Sequence, residues 1–154
     1  MNEFYVQTEQ MTVGYDGKPL IRNIEIRLKR GEILTLIGPN GAGKSTILKS
    51  MTKQLKLVGG TVYLGGEQMN RMSGKEVAKK LAVVMTERLR PELMTCEDIV
   101  ATGRYPYTGT LGILSERDWE KVHEAMALVH AADFKDRDFT AVSDGQRQRI
   151  LLAR

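Results

Sequence analysis

Nine residues, Gly38-Pro39-Asn40-Gly41-Ala42-Gly43-Lys44-Ser45-Thr46, restrict this 154-residue chain more than any other stretch. They follow an unbroken apolar run, Ile33-Leu34-Thr35-Leu36-Ile37, and precede Ile47-Leu48-Lys49-Ser50-Met51. The run lacks alternation and predicts a strand buried on both faces. The residues after it predict a helix starting near Gly43. A strand, a glycine-rich turn and a helix N-terminus together form a cradle for phosphate. The glycines let the backbone fold back and aim several N–H groups at one anion. The helix dipole adds positive potential at the same point. In such a loop the lysine, Lys44, reaches the β- and γ-phosphates, and the Ser45 hydroxyl ligates Mg²⁺. A plain glycine turn with a surface lysine is the competing reading, and the flanking strand and helix patterns weigh against it.

A second motif, Val142 to Arg149, reads VSDGQRQR, with Ser143 lying 99 positions after Lys44. Ser143-Asp144-Gly145-Gln146 fits a capping box, a hydroxyl followed three residues later by a carboxamide. The helix it opens runs through Gln148, Ile150, Leu151 and Ala153. An N-cap alone accounts for the pattern. A capped helix start with a small hydroxyl and a glycine is also a second place for an anion.

With both motifs in this order, the chain resembles ATP-binding-cassette (ABC) ATPase subunits from about residue 5 to its last residue. The resemblance implies an α/β fold of the P-loop NTPase, ABC ATPase type. It comprises a mixed-sheet core, an antiparallel β-subdomain and a helical subdomain, and is incomplete at the C-terminus. The implied division is 1–89 for the nucleotide-binding core, 90–142 for the helical subdomain, and 143–154 for the signature motif and the start of its helix. The implied ligands are ATP and Mg²⁺, held by Gly38, Pro39, Asn40, Gly41, Ala42, Gly43, Lys44, Ser45 and Thr46. Tyr15 sits where the family places an aromatic that stacks on adenine, so Tyr15→Phe is expected to be nearly silent. Ser143, Asp144, Gly145 and Gln146 correspond to the residues that meet the γ-phosphate of a second subunit in a homodimer.

Two positions depart from the family pattern. Asp144-Gly145 stands where two glycines are usual, placing a carboxylate near phosphate. Glu87 follows the apolar run Leu81-Ala82-Val83-Val84-Met85, which reads as a strand, at a position where a glutamine commonly touches Mg²⁺ and the attacking water. A glutamate oxygen can ligate Mg²⁺ equally well, and Thr86 is the alternative if the alignment shifts by one residue. Lys44 and Glu87 are thus the implied catalytic residues, with Ser45 and Glu87 at the metal. The family's Walker B glutamate and switch histidine fall past Arg154. An ABC-type ATPase activity is therefore implied for an intact subunit, and residues 1–154 alone are expected to bind nucleotide weakly and not to hydrolyse it.

Composition narrows the alternatives. Apolar residues make up 42% and charged residues 27%, an ordinary globular balance. No apolar run approaches the roughly 20 residues of a membrane helix, so direct membrane insertion is not expected. No basic-then-apolar leader opens the chain. The single cysteine, Cys96, rules out an internal disulfide and suits a reducing compartment. The net charge of +4 is spread without a strong cluster, so nucleic acid is not the expected partner. His123 and His130 lie seven apart on one predicted helix and read as surface or boundary residues.

Residues 4–37 carry strand patterns and turn signals, as antiparallel strands around tight turns do. Thr61 to Leu64 reads as a further strand between glycine pairs. Ser73-x-x-Glu76, Thr95-x-x-Asp98 and Ser115-x-x-Asp118 mark three helix starts. From Ser115, the residues Trp119, Val122, Met126 and Val129 share one helix face. Gly103 caps a helix before Arg104-Tyr105-Pro106-Tyr107. The segment GRYPYTGTLG also resembles its counterpart in importers of iron–siderophore complexes, haem and cobalamin, where the helical region meets transmembrane permease subunits. The leading expectation is the ATP-binding and hydrolysing subunit of such an importer, peripheral on the cytoplasmic face of the bacterial plasma membrane. The alternatives are a soluble ABC-type ATPase acting on nucleic acid or ribosomes, or a nucleotide-binding fragment without catalysis.

Overall fold

The computed structural model describes residues 3–84 and 91–154, which form two compact units, Met1–Ala82 and Val83–Arg154. The first unit is built on an antiparallel sheet. Strand β1 (Val6–Tyr15) pairs with β2 (Lys18–Ile24), β3 (Arg27–Leu28) and β4 (Gly59–Leu64), and β4 pairs with β5 (Glu67–Gln68). Asp16 and Gly17 close the β1–β2 hairpin at φ 50° and 73°. Two consecutive left-handed residues give the turn whose twist matches paired strands. Pro19 is tolerated because β2 lies at the sheet edge.

Alternating residues of β1 and β4 bury Met11, Val13, Val62 and Leu64. Met69, Met72 and Val77 complete that core, and Ile47 and Met51 of helix α1 (Lys44–Met51) pack on it. Buried Thr8 is satisfied where the strands bend apart. Its hydroxyl donates to Ile24 O and accepts from Ile26 N–H, both at 2.8 Å. Helix α2 (Gly74–Lys80) closes the unit.

The second unit is helical. Helices α3 (Cys96–Thr102), α4 (Glu116–Leu128) and α5 (Asp144–Ala153) enclose Ile99, Val100, Val122, Met126, Phe134, Phe139 and Ile150. α5 therefore shares the core of the helical unit, whereas the motif reading set 143–154 apart. All four boxes read from sequence form, at Ser73/Glu76, Thr95/Asp98, Ser115/Asp118 and Ser143/Gln146. Gly103 caps α3 in right-handed helical geometry. A Cβ there would lie 1.8 Å from Arg154 O, so close approach of α5 excludes any side chain.

At the start of α4, Ser115 Oγ donates to Asp118 Oδ2 at 2.6 Å and the Ser115 N–H donates at 3.0 Å. Arg104 donates to the other oxygen from Nε at 3.0 Å and Nη2 at 2.8 Å. The Ser115 hydroxyl and amide, then Arg104, lower the Asp118 carboxyl from 3.8 to about 2. A depressed carboxylate stabilises the fold above its unfolded pKa. This contribution is thus complete above about pH 4 and lost as pH falls through about 2. Carboxyl NMR should show Asp118 titrating near the bottom of that window, and Ser115→Ala should move it upward. An unchanged midpoint in Ser115→Ala would refute this assignment.

Three expectations fail here. Ile33–Ile37 forms no strand, and Ile33 and Ile37 are 94% and 90% exposed. Residues 81–84 likewise lack a ladder, with Val83 and Val84 exposed. A strand exists through its neighbours' hydrogen bonds, and among the described residues no strand pairs with either run. His130 is not on α4, which ends at Leu128, and its φ is 52°. His123 is on the helix, with Nε2 2.6 Å from Glu97 Oε1.

Candidate functional site

The phosphate-loop geometry begins with three glycines. Gly38, Gly41 and Gly43 have φ of 156°, 83° and 82°, left-handed conformations that other residues adopt only with strain. The backbone turns back at Ala42, whose N–H donates to Pro39 O at 3.3 Å. Gly43 then caps α1, whose first full turn is closed by Ile47 N–H to Gly43 O at 2.9 Å. The sequence placed this helix start correctly, although the strand expected before the loop is not formed.

Lys44 curls over the loop. Its ammonium donates to Gly38 O at 2.8 Å and Pro39 O at 2.7 Å. The charge is therefore held at the mouth of the turn rather than extended into solvent. Asn40 and Ser45 are exposed, while Thr46 is buried. The first N–H groups of any helix have no acceptor within it. Here they meet the lysine charge and the dipole end of α1, an arrangement suited to a polyanion.

Tyr15 ends β1 beside this loop and is 53% exposed as a residue. Its hydroxyl lies 3.1 Å from Thr46 Oγ1, where either group can donate. The sequence reading, which made Tyr15 a bare stacking surface, missed this bond. No local signal reports it, because 31 residues separate the partners.

In the helical unit, Gln146 N–H donates to Ser143 Oγ at 3.3 Å, and Ser143 N–H donates to Gln146 Oε1 at 3.0 Å. Asp144 does not stand alone. Arg147 Nη1 donates to its carboxylate at 3.0 Å, while Arg147 Nη2 donates to Thr140 O and Val142 O at 2.9 and 3.0 Å. Arg147 Nε reaches Phe139 O at 3.3 Å. This arginine stands inside the motif, but its role in fixing the turn was not foreseen. Glu87 and Thr86 lie outside the described residues. Among the described residues no His/Cys/Asp/Glu group could hold a metal ion by itself.

Residues 21–154 match the ABC transporter family. The chain belongs to that family. An uncharacterized ABC transporter ATP-binding protein of Methanocaldococcus jannaschii is 45% identical over 149 residues, covering 97% of this chain and 51% of its own. The iron(3+)-hydroxamate import ATP-binding protein of Bacillus subtilis is 36% identical over 148 residues, covering 96% and 55%. The ABC chain thus spans about half the length of the curated relatives it matches. A solved ATP-binding subunit of an ABC transporter superposes with a TM-score of 0.80 over 97% of this chain and 60% of that one, at 20% identity. That likeness supports the ABC ATPase fold.

Family membership implies ATP binding, and the loop fits it. A Cβ added at Gly41 would meet nothing within 4 Å, so the space facing the turn is open. The donor set is backbone amides, one ammonium and one hydroxyl, which matches phosphate. Among the described residues, no helix of the ABC chain is long and apolar enough to cross a membrane.

Proposed function

We propose that this chain is the nucleotide-holding part of an importer ATPase that takes up metal chelates of the iron–siderophore, haem or cobalamin type. The observation that carries the nucleotide reading is the Lys44 ammonium poised on Gly38 O and Pro39 O over a left-handed glycine turn. The similarity to a hydroxamate-import protein and the segment GRYPYTGTLG support the cargo class.

In this reading MgATP lies along Gly38–Thr46. Lys44 exchanges its two carbonyl partners for β- and γ-phosphate oxygens, and the amides around Gly41–Ser45 complete the cradle. Ser45 and Glu87 supply oxygens to Mg²⁺, which when bound neutralises developing phosphate charge. The exposed Tyr15 face stacks on adenine. Ser143 to Gln146 present a capped helix N-terminus to the γ-phosphate of a second subunit, and the helical unit meets the permease at the cytoplasmic face of the membrane. The pairing of Asp144 with Arg147 reduces the repulsion expected of a carboxylate placed there.

Two measurements test these assignments, the first on the full-length protein and the second in cells. Tyr15→Ala should weaken ATP binding by about 1–3 kcal/mol, the scale of base–aromatic stacking. Unchanged affinity in a nucleotide titration would return Tyr15 to a strand residue. Cells lacking the gene should lose uptake of radiolabelled iron supplied as ferric hydroxamate, and unimpaired uptake would exclude that cargo.

A further inference from the structure

Among the described α-helices, α1 differs from the rest in how it starts. α2, α3, α4 and α5 each open on a capping box, whereas Gly43 gives α1 no side-chain cap. An uncapped start leaves first-turn amides available to an anion. It also leaves the direction of those amides to be fixed from elsewhere.

The β1–β2 hairpin supplies that constraint. A Cβ on Gly43 would lie 2.7 Å from Ile21 Cδ1, so the cap rests against β2. Three residues on, buried Thr46 meets the Tyr15 hydroxyl at 3.1 Å. The backbone of Tyr15 is itself set by a tight hairpin, where it pairs with Lys18. Gly14 before it packs so closely that a Cβ would sit 1.9 Å from Lys18 O, and the Asp16–Gly17 turn follows at once. An apolar contact and a polar bond thus fasten the first turn of α1 to the hairpin.

We propose that Tyr15 is a positioning residue for the phosphate loop, acting through Thr46, in addition to offering its ring to a base. This rests on the nucleotide reading above. It reverses the expectation that Tyr15→Phe is silent, because phenylalanine keeps the ring and loses the bond. Its particular consequence is that the hydroxyl matters to a ligand with no base at all.

The test compares MgATP with magnesium tripolyphosphate, measured on the full-length protein by displacement of a fluorescent nucleotide. Tyr15→Phe should weaken both by a similar factor, roughly three- to tenfold for one net hydrogen bond. Thr46→Val should weaken both too, and adding Tyr15→Phe to it should cost nothing more, as coupled residues behave. Thr46→Ser should retain the tyrosine effect. If the unsubstituted protein binds no MgATP, the nucleotide reading falls, and this inference with it. If it binds MgATP, the inference alone is overturned by tripolyphosphate failing to displace, by undiminished tripolyphosphate affinity in Tyr15→Phe, or by losses that simply add in the double variant.

Discussion

Lys44→Ala should lower the affinity of the full-length protein for MgATP at least tenfold and leave its melting temperature nearly unchanged. The two halves of that expectation have different causes. A hydrogen bond to a charged group is worth about 1.5–3 kcal/mol, and tenfold corresponds to about 1.4. In the free loop the ammonium bonds two carbonyls at an exposed site, where water replaces it at little cost. Binding exchanges those neutral acceptors for anionic phosphate oxygens, which hold a cation more strongly. What the variant loses is that difference, so affinity suffers and folding does not. An unchanged Kd would remove the phosphate assignment. A large fall in melting temperature would instead make Lys44 a structural tether of the turn.

Phe139→Ala should have the larger effect on stability, about 3–5 kcal/mol for a truncated buried aromatic. Phe139 is only 1% exposed and packs among Cys96, Val100, Val122, Met126 and Ile150 in the helical core. Whole domains are stable by only about 5–15 kcal/mol, so this loss approaches the margin. The backbone around it would loosen as well. Phe139 N–H donates to Met94 O at 3.0 Å, and Asp138 bridges to Thr95. Amide exchange should therefore accelerate from Phe139 into the first turn of α5, and urea unfolding should shift to lower midpoints. A loss below about 1 kcal/mol would mean that the cavity collapses or that Phe139 is not central.

The helix starts were legible because a capping box is a local agreement between two side chains and two amides three residues apart. Ser73, Thr95, Ser115 and Ser143 each needed nothing distant to be recognised. The glycine loop was legible for the same reason. The strand expected at Ile33–Ile37 was not, because apolar composition reports a preference for burial and not the presence of a pairing neighbour. Tyr15–Thr46 was hidden by sequence distance. Arg147 was hidden in another way: exposed arginines are common on helices, and only the turn geometry shows which carbonyls one serves.

Arg147 has a consequence for the polarity of the signature turn. Its guanidinium occupies the carbonyls of Phe139, Thr140 and Val142, while the Ser143 N–H is taken by Gln146. The turn's acceptors are thereby drawn to one cation on its own unit. What remains at the beginning of α5 is mixed in sign, because first-turn amides without an intrahelical acceptor stand beside the largely exposed Asp144 carboxylate that Arg147 holds. One side chain therefore sets both signs at once: replacing Arg147 would release the carbonyls of Phe139, Thr140 and Val142 and strip Asp144 of its cation in a single step.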